Sequence, residues 1–187
     1  MRGVIFLLVI VALTAGMHSL SLGREDKKFS PISAGRAYTV REMLENAPII
    51  LPDYDMVVSL DRGEATFGRG NARGSVALGD VFATARTADG IDFIGYIVVS
   101  GGGVGTFRYL VLYSMTKQGL VHSDSAFLGD RVQVRSIHSG EQSGIEEYQV
   151  TITILDRKPK EPMSAPPTLE RKLNFVVSGR RFFRETD

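Results

Sequence analysis

Residues 91–115 read IDFIGYIVVSGGGVGTFRYLVLYSM, two apolar runs joined by a glycine-rich segment. With the two-residue period of a β-strand, the first run places Ile91, Phe93, Ile97 and Val99 on one face and Ile94, Tyr96 and Val98 on the other. The second run groups Phe107, Tyr109, Val111, Tyr113 and Met115 opposite Leu110 and Leu112. Both strands are apolar on both sides. Such strands belong in the middle of a sheet that carries a covering layer on each face.

The same rhythm continues outward. On the N-terminal side, Met56–Leu60 and Glu64–Phe67 flank the hairpin signal Asp61-Arg62-Gly63, and Val76–Arg86 reads as one strand after a solvated loop at Gly68–Gly74. On the C-terminal side, Val132 and Val134 oppose Arg131, Gln133 and Arg135, while Tyr148, Val150, Ile152 and Ile154 oppose Glu147, Gln149, Thr151 and Thr153. These have one wet face each and suit outer strands. Leu169–Val177 and Arg180–Arg184, joined at Ser178-Gly179, close the pattern with a hairpin. About nine strands are expected, in an antiparallel meander forming a curved sheet, a sandwich or a small barrel. The fold class is mainly β, with α+β as the alternative reading. One short helix precedes it: the spacing of Tyr38, Met43 and Leu44 is helical, Thr39 and Glu42 suit a capping box, and Pro48 ends the segment.

Upstream the character changes. Arg2 precedes the apolar run Val4–Leu13, the layout of a secretory signal, so residues 1–23 read as a signal peptide or, uncleaved, as an inner-membrane anchor over residues 4–22. Residues 24–36 form a charged, breaker-rich flexible tether, and 37–187 a single β-rich domain. The expected location is extracytoplasmic, periplasmic or secreted, with membrane contact only through the N-terminal segment. The chain lacks cysteine, which excludes disulfides, thiolate metal sites and thiol nucleophiles. Lys plus Arg total 22 against 21 for Asp plus Glu, so no global field draws the protein to nucleic acid.

Several segments invite chemistry. Ser100–Thr106 (SGGGVGT) resembles a phosphate-cradling loop, but a strand rather than a helix comes after it, so it reads as a strand connection. Gly68–Gly74 has an RGG-like composition, read as solvated surface. Asp89-Gly90-Ile91-Asp92 supplies too few oxygen ligands for calcium and reads as a turn. Glu146-Glu147, and Asp156 with Glu161, read as surface acids rather than a glycosidic pair. A metal centre would need His122 or His138, and neither has a histidine at ligand spacing, so no cofactor is expected. His122-Ser123-Asp124-Ser125 holds every residue type of a hydrolytic triad; on a regular strand His122 and Asp124 share a side that Ser123 does not. His138-Ser139 meets the same obstacle.

Three stretches in order, Gly102–Leu110 (GGVGTFRYL), Phe127–Ser136 (FLGDRVQVRS) and Leu155–Thr168 (LDRKPKEPMSAPPT), together resemble an uncharacterised family of bacterial exported proteins over residues 55–184. The resemblance implies an extracytoplasmic domain and carries no activity or catalytic residues. Its members often hold an aspartate-rich turn before the first central strand, of which Thr84–Asp92 keeps only the end. The expected role is a non-catalytic envelope or surface module that binds an envelope protein or a cell-surface component. In it the stiff, proline-rich excursion bearing Arg157, Lys158, Lys160 and Glu161 is a candidate recognition loop. The alternatives are a hydrolase assembled around His122 or His138, and a small-ligand-binding barrel.

Overall fold

The computed structural model describes residues 39–185 except 70, 71, 81, 104, 118 and 143–146. The signal, anchor and tether expectations therefore lie outside the described residues. Helix α1 (Val40–Glu45) starts at the expected capping box: the Thr39 hydroxyl accepts from the Glu42 N–H (3.2 Å) and the Glu42 carboxylate from the Thr39 N–H (2.9 Å). Twelve strands come after it among the described residues. They are β1 (Pro48–Leu51), β2 (Met56–Ser59), β3 (Glu64–Arg69), β4 (Ala72–Leu78), β5 (Ala83–Thr87), β6 (Gly90–Ser100), β7 (Phe107–Thr116), β8 (Gly119–Asp130), β9 (Gln133–Gln142), β10 (Glu147–Asp156), β11 (Leu169–Ser178) and β12 (Arg181–Arg184).

The fold is mainly β and every strand pairing is antiparallel. The central sheet runs β3-β4-β6-β7-β8, with β5 also on β6; a second sheet runs β12-β11-β10-β9, and β1-β2 form a hairpin. As the parity of residues 91–115 requires, the central pair β6-β7 is covered twice. Phe93, Ile97, Val99, Tyr109, Val111 and Tyr113 pack under Leu44 of α1 and Ile49 and Leu51 of β1. Ile94, Leu110 and Leu112 pack against Val150, Ile152, Leu173 and Phe175 of the second sheet. The result is a sandwich with an extra cover, and among the described residues no sheet closes into a barrel. Two seams join the sandwich at its edges: the Ser139 hydroxyl donates to the Thr84 carbonyl (2.7 Å), and the Phe182 N–H donates to Asp124 Oδ2 (2.7 Å). No helix among the described residues is long and apolar enough to cross a membrane.

Two local expectations change. The strand expected over Val76–Arg86 is broken: β4 ends with Leu78 opposite Ile97, β5 begins with Ala83 opposite Ile94, and the excess residues bulge out between them. Tyr96 explains the break. Its ring occupies the space above Gly79, and its hydroxyl donates to Asp80 Oδ1 (2.8 Å), holding the bulge against β6. Of the segment Gly68–Gly74, expected as a loop, the described residues Gly68, Arg69 and Ala72 to Gly74 belong to the two arms of the β3-β4 hairpin, with Arg69 opposite Ala72.

Glycines in this part of the sheet serve as seats for rings. The Phe67 ring lies across its cross-strand partner Gly74, the Tyr54 hydroxyl sits over Gly101, and the Phe107 ring covers Gly105. Gly102 needs its positive φ of 79° to pass the Arg73 carbonyl. The glycine-rich connection thus has a packing role. A β-carbon at Gly74 would meet the Phe67 ring and lie 2.6 Å from the Ser100 carbonyl oxygen, whereas one at Gly103 meets nothing within 4 Å. Gly74→Val is expected to cost about 2–3 kcal/mol in chemical denaturation, with Gly103→Ala within about 0.5 kcal/mol of the parent.

Candidate functional site

The residues with chemical potential fall into three places. The first is β8. Leu112 faces Asp124 but Tyr113 faces His122, so Ser123 is an extra residue, a bulge that reverses the side on which the next residues point. The parity expected for a regular strand is thereby overturned. His122 and Ser125 share the face under β1, with 3.0 Å between His122 Nε2 and Ser125 Oγ. Asp124 instead faces the second sheet, where it accepts from Phe182. Ser123 reaches the buried Ser114, Oγ to Oγ 3.0 Å. Triad residue types adjacent in sequence are therefore distributed over two faces.

The protonation of His122 is dictated by its partners. Nδ1 accepts from the Ile50 N–H (3.4 Å), which leaves the proton on Nε2 and makes Ser125 Oγ the acceptor. A general base would need the opposite arrangement, with Nε2 receiving the serine proton. Burial lowers the His122 pKa to about 4, against a smaller opposing pull from Asp124, so the ring is neutral at neutral pH. The ring also sits edge-on to Tyr113, at 5.2 Å between centroids. His122 acts as a clasp that ties β1 to β8. His138 lies elsewhere, exposed on β9 opposite Thr151.

The second place is the core between the sheets. Asp92 is 3% exposed and accepts from the Tyr148 hydroxyl (2.9 Å), a bond between the two layers; burial, reinforced by the Asp92 charge, pushes the tyrosine pKa up. Asp89 points elsewhere, to Arg180 at 3.3 Å, so the two acids of the 89–92 turn do not converge. No group of three or more His, Asp or Glu among the described residues is placed to hold a metal ion.

The third place is the excursion between β10 and β11. Arg157 Nη1 and Arg131 Nη1 both donate to the Met163 carbonyl, at 3.0 and 3.2 Å. Thr168 N–H closes the base on the Asp156 carbonyl (2.9 Å), and Glu161 accepts from the Lys158 N–H (2.9 Å). Arg157 and Glu161 thus hold the loop, while Lys158, Lys160 and Met163 are presented outward, Met163 at 54% exposure. Of the acids considered for glycosidic work, Asp156 pairs with Arg171 (2.8 Å), Glu147 accepts from Ser178 (2.8 Å), and Glu146 lies outside the described residues. Met163 was not among the residues singled out from sequence; an apolar side chain set between prolines was the signal available.

Compared with known protein families, with curated proteins and with solved structures, the chain matches none.

The folded chain resists protonating His122 until about pH 4, whereas the unfolded chain takes up that proton near pH 6.5, so stability falls as pH drops through this window. The loss, on the order of 2 kcal/mol, should disappear in His122→Asn, whose amide oxygen can replace Nδ1; denaturant midpoints measured from pH 7 to pH 4 decide it. Tyr148→Phe removes the hydroxyl bonded to buried Asp92 and should lower stability by about 1–3 kcal/mol at neutral pH, read by thermal melting.

Proposed function

We infer that this chain is a non-catalytic β-sandwich module that works outside the cytoplasm and binds an envelope protein or cell-surface component through its 157–168 loop. The observation that carries the reading is the double clamp on the Met163 carbonyl by Arg131 and Arg157. A loop of this length would ordinarily lose much conformational freedom on binding. One already closed at its base and fixed at its tip keeps that cost small. The tip offers an adaptable apolar side chain, and the same loop exposes Lys158 and Lys160, a combination suited to a protein or polymer surface. The export part rests on the charged start and apolar run of residues 1–23.

The reading is tested with the full chain expressed in a bacterial host. Fractionation should find it outside the cytoplasm; a cytosolic pool with an intact N-terminus overturns the export reading. Met163→Asp combined with Lys158→Glu should abolish retention on isolated envelopes while moving the melting temperature by less than about 3 °C, since both side chains are exposed. Unchanged retention would remove the loop from the binding surface.

A further inference from the structure

The β2-β3 hairpin does not stay paired. Its turn, Arg62-Gly63, has φ of 53° and 86°, and the strands bridge only at Asp61 and Glu64 before separating, β2 to the cover and β3 to the edge of the central sheet. The bonds at the vertex fix the direction of the free backbone groups. Glu64 exchanges both of its backbone bonds with Asp61 (2.8 and 3.2 Å), on the side away from β4. Backbone groups alternate sides along an antiparallel strand, so Thr66 and Gly68 also turn theirs away from β4. On the other arm, Leu60 donates to the Ala47 carbonyl (3.2 Å), so Val57 and Ser59 turn theirs away from β1. The two arms enclose an open groove of about 580 Å³ lined by Met56, Val57, Thr66, Phe67, Gly68 and Arg73.

We propose that this groove takes an extended, acidic peptide segment of a partner protein, which adds a strand to the outer edge of β3. Three features favour that occupant. The edge offers unpaired N–H and C=O groups at strand spacing, and no described strand covers it. Apolar side chains line the wall opposite, including Val57 at 66% exposure, and would take alternate side chains of the incoming strand. Arg73 lies in the lining without an ion pair among the described residues, so the complementary charge is negative. The lining shares no residue with the 157–168 loop, so this inference stands or falls apart from the loop reading.

The test uses the full chain and a fluorescein-labelled heptapeptide of alternating valine and aspartate, monitored by fluorescence polarisation. Saturable binding is expected, at least tenfold weaker for the valine–lysine analogue and lost when the peptide's central amides are N-methylated. Thr66→Pro deletes an outward N–H and leaves the β4 ladder intact, so it should reduce binding at least tenfold without changing the melting temperature. Arg73→Glu should reverse the preference between aspartate and lysine. Equal binding of the methylated peptide overturns the proposal, as does absence of saturation. A concentration-dependent dimer in sedimentation that Thr66→Pro abolishes overturns it in favour of a second copy of this chain. If Thr66→Pro fails to fold, the methylated peptide on the parent protein still decides.

Discussion

The constraint on which the structure depends is the two-sided burial of the β6-β7 pair. Ile94, Ile97, Val99, Leu110, Val111, Leu112 and Tyr113 are at or near zero exposure, and they point in opposite directions from one pair of strands. A single covering layer would leave half of them in water, at about 1.5–3 kcal/mol for each large side chain. The chain resolves this by sending its last four strands to one face as a second sheet and its N-terminal elements, α1 with β1-β2, to the other. Every later feature sits on that three-layer frame, including the seams at Ser139 and Asp124.

How much of this could be read in advance depended on whether side-chain parity alone decided it. The central strands, the final hairpin and the capping box were legible, because each rests on a period or on residues at fixed offsets. β8 was not: Gly119–Asp130 carries few strand formers, and its extended form comes from the long ladder with β7. The triad-like run within it escaped a parity argument for a sharper reason. A single extra residue, Ser123, reverses the side of the residues that come after it up to a second irregularity at Leu128, and a bulge is set by packing against β7 and β1 rather than by the residues that form it. The broken strand at Gly79 is similar. Its cause, the Tyr96 ring, lies on another strand. The 157–168 loop was legible as stiff from its prolines, but the arginine that clamps its tip, Arg131, comes from a different turn.

The polar contacts of Asp92, Tyr148 and His122 are explained by layering more economically than by chemistry. Asp92 and Tyr148 connect the central sheet to the second sheet, and His122 connects it to the β1-β2 cover. Each sits where two layers meet and has a partner on the neighbouring layer. Hydrogen bonds of this kind add little net stability but penalise any register that would leave the groups unpaired. Layers otherwise held by non-directional apolar contact are thereby fixed in one alignment.

The same frame determines where recognition can occur. With both faces of β6 and β7 consumed by cores, the middle of the central sheet has no surface left to offer, and interaction moves to the perimeter. Among the described residues the perimeter is uneven. The β5-β9 and β8-β12 edges are stitched by side-chain to backbone bonds, which blunts them against further pairing. The β10-β11 connection is clamped into a defined shape, and the β3 edge is left open where β2 departs to form the cover. That departure is a direct consequence of two-sided burial: the strand that would have continued the hairpin is needed on top of the sheet, and its absence from the sheet leaves the exposed edge.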